Sequence, residues 1–107
     1  MHLPRGGMNE AMRLAAQMQR KIEATKKRIK DFEVTGSAAG EKVKVTVTYE
    51  GKVKQIVVDP EFLAAEGLEM ALDSICAATN TAMEEADKLV DAELAKVTGG
   101  IKLPTGF

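Results

Sequence analysis

Residues 42–58 of this 107-residue chain read KVKVTVTYEGKVKQIVV, and their alternation of apolar and polar residues decides the fold. Val43, Val45 and Val47 are expected on one face of a strand, whereas the Lys and Thr residues between them are expected on the other. The Glu-Gly pair at 50–51 suits a two-residue turn into a second strand. The stretch therefore predicts a β-hairpin with one apolar face.

A further strand and two long helices flank this hairpin. Residues 32–37 predict the third strand, and the glycine-bearing segment 36–40 predicts the bend that leads from it into the hairpin. Residues 8–31 contain no Gly or Pro and are rich in good helix formers. Residues 68–97 keep helical spacing until the Gly-Gly pair at 99–100 ends the pattern.

The predicted fold class is therefore α+β, in the order α-β-β-β-α, with residues 1–107 forming a single domain. Asp59-Pro60-Glu61 predicts a helix start, because Asp can cap a helix, Pro suits the first helical position and Glu favours the positive end of the helix dipole. Gly67 is expected to separate a short helical turn from the last helix.

Each long helix carries an apolar seam that is expected to be buried. In the first helix the seam comprises Ala11, Ala15, Met18, Ile22, Thr25, Ile29 and Phe32. In the last helix it comprises Leu72, Cys76, Thr79, Met83, Ala86, Val90, Leu94 and Val97. Cys76 is accordingly expected to be a small core residue, and the methionines of both helices are expected to fill gaps in the core.

The helices are long for so small a sheet. At about 1.5 Å per residue they reach roughly 36 and 45 Å, whereas a compact domain of 100 residues has a radius of gyration of only about 13 Å. The helices are therefore expected to overhang the sheet and to leave apolar stripes that a monomer cannot bury. A symmetric homodimer would cover these stripes and could also hide an unpaired strand edge.

Charge is segregated along the chain although the net charge is only −1. Residues 1–32 contain eight Lys or Arg against three Asp or Glu, and residues 61–96 contain two against nine. Such asymmetry is typical of proteins that contact a nucleic acid or a membrane surface.

The basic residues of the first helix have a regular spacing. Arg13, Arg20 and Lys27 are seven residues apart and lie nearly in one line opposite the apolar seam, and Lys21 and Arg28 form a second line beside it. Spaced cations on an exposed helix can neutralise phosphates without reading bases. The alternative is an ordinary solvated helix face, with cations that complement the negative end of the helix dipole.

No pattern of residues predicts an enzyme. Phosphate-binding loops, dinucleotide fingerprints, zinc spacings and nucleophile elbows are absent from the sequence. The acidic face of the last helix, formed by Asp73, Glu84, Asp87 and Asp91, has no His or Cys at ligand spacing and is expected to be solvated. We expect no catalytic residues, no cofactor, no metal and no small-molecule substrate.

The composition, 45% hydrophobic and 29% charged, is that of an ordinary globular protein. No apolar run approaches the roughly 20 residues that a membrane-spanning helix needs. Residues 1–7, MHLPRGG, lack the apolar centre of a secretory signal. A single cysteine is compatible with a reducing cytoplasm, and a membrane-surface helix is disfavoured because its seam has little bulk and the chain has no Trp.

The order of several short segments resembles that of the YbaB/EbfC family of bacterial nucleoid-associated proteins. The segments are GGM at 6–8, AAQMQ at 15–19, EVTGSAAG at 33–40, VKVTV at 43–47, IVVDPEFL at 56–63, AATNTA at 77–82 and TGGIKLPTGF at 98–107. No single segment is diagnostic, but the ordered set spans almost the whole chain.

The resemblance implies a homodimer whose long helices project like the arms of tweezers. It also implies a cytoplasmic, nucleoid-located protein that binds double-stranded DNA, alters its conformation and contributes to nucleoid organisation and gene regulation. Carried onto the basic positions of the first helix, the DNA-binding residues would be Arg13, Arg20, Lys21, Lys27 and Arg28. The alternative is a non-enzymatic protein-interaction or scaffold dimer in which the oppositely charged helices pair.

Overall fold

The computed structural model describes residues 5–100 and Phe107, and the side chains from Gly7 onward within that range. The chain forms three strands between two long helices, with a short helix before the last one. The elements are α1 (Arg5–Ile29), β1 (Glu33–Ala38), β2 (Val43–Thr48), β3 (Val53–Val58), α2 (Pro60–Glu66) and α3 (Leu68–Thr98). The predicted α-β-β-β-α order is confirmed.

The three strands form one antiparallel sheet in the order β1-β2-β3. The predicted two-residue turn at 50–51 is wrong, because β2 ends at Thr48 and β3 begins only at Val53. The longer connection closes on Thr48, whose amide donates to the Lys52 carbonyl at 2.8 Å while its hydroxyl accepts from the Lys52 amide at 3.0 Å. A register shift between Thr46 and Val47 accompanies the longer turn.

The sequence assigned Gly36 both to the end of the first strand and to the start of the bend. It lies inside β1, beneath α3, and not in the bend. A Cβ atom at this position would meet the backbone of Ala78 and would lie 2.6 Å from the Ala82 nitrogen, so only glycine lets the helix approach the strand this closely. The bend comes later, where Ala39, Gly40 and Glu41 all have positive φ.

The main core lies between α3 and the first two strands. Val43, Val45 and Val47 of β2 are fully buried, as their alternation predicted, and they share a cluster with Ala78, Ala82 and Ala86 of α3. The small side chains let the helix lie close to the sheet, which gives a compact core despite the small number of large residues.

The buried face of α3 is rotated from the predicted seam over its first half. Ala71, Ser74 and Ala78 point inward, whereas Leu72 and Cys76, which the sequence placed in the core, are exposed. This first half is apolar on two adjacent faces. The sheet takes the face with small residues because close packing excludes the bulkier one.

A second buried cluster joins α1 to the second half of α3. It contains Ile22 and Ile29 from α1 and Val90 and Leu94 from α3, as the two seams predicted. Phe32 is 42% exposed instead of buried, although its ring makes an edge contact with Tyr49 at a centroid distance of 5.4 Å.

The first part of α1 extends beyond any covering element among the described residues. Ala11 and Ala15, which were predicted to lie in the seam, are exposed for this reason. Met8 and Met12 are exposed here and Met70 is exposed on α3, so the prediction that the methionines fill the core is wrong for these three. Met18 and Met83 are half-buried against the two clusters.

Side-chain and glycine caps fix the ends of the later helices. Asp59 begins α2, with its Oδ1 accepting from the amides of Glu61 at 2.8 Å and Phe62 at 3.3 Å. The Phe62 amide, followed by that of Glu61, lowers the pKa of the Asp59 carboxyl because both stabilise its charged form. Gly67 separates α2 from α3, and Gly99, in a left-handed conformation, ends α3.

The molecule is elongated, with extents of 74 × 24 × 17 Å and a radius of gyration of 20.5 Å. A compact chain of similar length would have a radius of about 13 Å, so the predicted overhang of the helices is confirmed. Within the described part of the chain, no helix is both long and apolar enough to cross a membrane.

Candidate nucleic-acid interface

Helix α1 presents the basic residues because its opposite face is anchored on α3. Ile22, Thr25 and Ile29 are buried at spacings of three and four residues, so the positions about half a turn away must face solvent. The projecting first turns of α1 continue the same helix without a covering layer. The fold therefore holds a row of cations on the exposed side of α1.

Three of the five predicted contact residues, Arg20, Lys21 and Lys27, are exposed and have no acidic partner among the described residues. They occupy the central and final turns of α1, close to its anchored part. These three cations can therefore meet an external anion without first breaking an ion pair to any described residue.

The other two predicted residues are engaged in ion pairs. The Arg13 guanidinium binds the Glu10 carboxylate three residues earlier, and both side chains are more than half exposed. Arg28 Nη2 instead reaches across to α3 and donates to Glu93 Oε2 at 3.0 Å. The structure thus divides the predicted set into three available cations, one locally paired cation and one cation held between helices.

Two shallow grooves run along the exposed face of α1, and Arg20 and Ala24 line both. One also contains Ala16 and Lys27, with Gln19 and Glu23 at its side. The other contains Gln17 and Lys21. Alanine side chains between longer cationic ones leave room for a phosphate to approach, and the Gln17 amide adds a neutral hydrogen-bond donor.

Glu93 is the residue of this region that the sequence did not reveal. Arg28, followed by Lys96, lowers the pKa of the Glu93 carboxyl because each donates a hydrogen bond to it. Glu93 lies 65 residues from Arg28 in the chain, so no helical spacing could predict their contact. The packing of the two helices alone brings them together.

The acidic residues predicted on α3, Asp73, Glu84, Asp87 and Asp91, are all exposed. No group of three or more His, Cys, Asp or Glu side chains among the described residues could hold a metal ion. Phosphate would be repelled along this acidic face of α3. The face suited to an anion is therefore that of α1.

The fold and this face define a small α+β protein with a projecting cationic helix, an arrangement suited to the phosphate backbone of a nucleic acid. The YbaB/EbfC DNA-binding family matches residues 5–101 of the chain. The chain therefore belongs to the YbaB/EbfC DNA-binding family.

Relatives support the same assignment. A nucleoid-associated protein of Acetivibrio thermocellus is 38% identical over 96 residues, which cover 90% of this chain and 85% of that protein. A nucleoid-associated protein of Alkaliphilus metalliredigens is 38% identical over 100 residues, which cover 94% and 88% of the two chains. The crystal structure of an uncharacterized Helicobacter pylori protein matches 92% of this chain and 100% of its own length with a TM-score of 0.69; at 16% identity it shows the shared fold.

Proposed function

We propose that this chain binds double-stranded DNA as a homodimer, chiefly through phosphate contacts from α1. Binding alters DNA conformation and serves nucleoid organisation and gene regulation in the bacterial cytoplasm. The observation that carries the proposal is the set of exposed cations, Arg20, Lys21 and Lys27, on a projecting helix of a DNA-binding family member. The two relatives named nucleoid-associated proteins support the cellular role.

The residues of the α1 face favour contacts to the backbone over readout of bases. Lys and Arg side chains at helical spacing can follow a row of phosphates, and such contacts position a protein on DNA without carrying sequence information. Binding of this kind releases counterions and depends steeply on salt. We therefore expect similar affinity for unrelated duplexes of equal length.

An uncovered apolar surface supports the homodimer. Helix α3 covers β1 and β2, whereas Ile56 of β3, which is paired with buried Val45, remains 49% exposed on the same side of the sheet. Helix α3 also exposes Leu72 and Cys76. A second copy of the chain can bury this surface and the outer edge of β3 around a twofold axis.

The test replaces Arg20, Lys21 and Lys27 together by Gln and measures DNA binding by fluorescence anisotropy at several salt concentrations. If the dimer neutralises six phosphates, three for each α1, the slope of log K against log salt is about −5 for the unmodified protein. The triple variant should lose most of this slope and most of its affinity. Circular dichroism and sedimentation should show unchanged helix content and mass.

A control variant removes the same charge from the sheet, by changing Lys44, Lys52 and Lys54 together to Gln. Its salt slope should stay near that of the unmodified protein. Equal losses in both triple variants would mean that net charge, not the α1 face, controls binding. A salt-independent affinity of the unmodified protein would contradict the proposed phosphate contacts altogether.

A further inference from the structure

Glu93 lies where α1 and α3 meet, and each of its carboxylate oxygens accepts one hydrogen bond from a cation. Arg28 Nη2 donates to Oε2 at 3.0 Å, and Lys96 Nζ donates to Oε1 at 3.1 Å. The Glu93 side chain is only 21% exposed, whereas that of Arg28 is 56% exposed. The carboxylate is thus set into the junction while the cations around it remain accessible from solvent.

We propose that Glu93 acts as an internal competitor of the DNA phosphate, holding Arg28 in an ion pair that keeps this arginine from contacting DNA. This inference rests on the proposed DNA binding by α1 and concerns how that binding is limited. A carboxylate and a phosphate offer an arginine the same kind of partner, an anionic oxygen that accepts a charge-assisted hydrogen bond. An arginine bound to the Glu93 carboxylate is therefore less available to a DNA phosphate.

The position of Arg28 makes this competition relevant to the α1 face. Arg28 follows Lys27 directly and lies seven residues after Lys21, so it extends the second line of cations by two helical turns. Released from Glu93, it would add one phosphate contact for each protomer. While Glu93 holds Arg28, Lys21 is the one cation of the second line that can contact phosphate.

The Arg13–Glu10 pair does not offer the same restraint. Both of its side chains are more than half exposed, and they lie three residues apart on the projecting part of α1. Such a local surface pair exchanges readily with solvent and ions. Glu93, in contrast, is positioned by the packing of Ile29 against Val90 and Leu94, so its carboxylate stays beside Arg28.

The experiment compares Glu93→Gln with the unmodified protein in the anisotropy titration. Two additional phosphate contacts in a dimer should steepen the salt slope by about 1.8. The gain in affinity of E93Q should therefore shrink about 12-fold between about 50 and 200 mM salt. Glu85→Gln is the matched control, because it removes the same charge from an exposed position on α3 that has no cationic partner among the described residues.

A double-mutant comparison separates competition from a purely structural role. In the E93Q background, adding Arg28→Gln should return the slope to that of the unmodified protein. In the unmodified background, R28Q should cost no more affinity than Lys44→Gln, a cation removed from the sheet. The comparison of R28Q with K44Q does not involve E93Q, so it tests the inference even if E93Q folds poorly.

Equal slopes for E93Q and E85Q would overturn the inference. An R28Q variant that loses as much affinity as a Lys27→Gln variant would overturn it as well, because Arg28 would then already contact DNA. Either result leaves the proposed function intact as long as the unmodified protein binds DNA with a steep salt slope. If the affinity of the unmodified protein for DNA did not depend on salt, the proposed function itself would be contradicted.

Discussion

Gly36 is the residue on which the contact between sheet and helix depends most directly. The absence of a side chain lets β1 approach the backbone of α3 at Ala78 and Ala82. A buried position where backbone lies within contact distance cannot accommodate a methyl group by moving a flexible side chain. A larger residue would instead force β1 or α3 to move.

Gly36→Ala should therefore lower the free energy of unfolding by about 3 kcal/mol, the upper part of the usual range for overpacking. Urea unfolding followed by circular dichroism measures this change. Gly7→Ala in α1 is the control, because no atom lies within 4 Å of the added methyl group and alanine favours a helix over glycine. Equal stability of the two variants would show that the strand and the helix are not in tight contact.

Helix α3 illustrates how much of an element the sequence can predict. Its length and its glycine stop at Gly99 follow from composition and periodicity, and the structure confirms both within one residue. Its buried face could not be predicted from periodicity, because Leu72 and Cys76 recur at helical spacing just as the buried residues Ala71 and Ala78 do. The choice between the two faces depends on the close approach of β1, which periodicity alone cannot reveal.

The same limit applies to the candidate site. The spacing of Arg20, Lys21 and Lys27 correctly predicted an exposed basic face on α1, because that face lies opposite the apolar seam. The engagement of Arg28 by Glu93 depends on the packing of two helices distant in sequence. Local patterns thus predict which side of a helix is exposed, but they do not predict which of its cations are already paired.

Helix α1 consists of an anchored part and a projecting part, and these should differ in protection from hydrogen exchange. The amides of residues 22–29 lie where Ile22 and Ile29 pack on α3, whereas residues 8–16 belong to turns without a covering layer. Isolated helical turns are only marginally stable in water, so the projecting amides should exchange at least about tenfold faster. Hydrogen–deuterium exchange with mass spectrometry measures the difference, and uniform protection along α1 would mean that a partner covers the projecting part.

At the scale of the whole molecule, the described chain leaves more apolar surface uncovered than its own elements can bury. The stripe formed by Val90 and Leu94, which α1 covers, continues along α3 toward Leu72 and Cys76, which no described element covers. Ile56 of β3, on the side of the sheet that carries α3, is exposed as well. One twofold contact that covered this region would also place two α1 helices in a single particle, doubling the number of cations.

The two faces of β3 allow the dimer to be tested with a matched pair of variants. Ile56 faces the side of the sheet that carries α3, and Val57 faces the opposite side; they are 49% and 47% exposed. Ile56→Glu should place a charge in the twofold contact and give a monomer of 11.5 kDa in sedimentation, whereas Val57→Glu should remain dimeric.

The monomer keeps its α1 cations but brings only three to the DNA, so its salt slope should fall from about −5 to about −2.7. Dissociation by V57E with a persistent dimer in I56E would instead assign the contact to the outer face of the sheet, and the two α1 helices would then have a different relative placement.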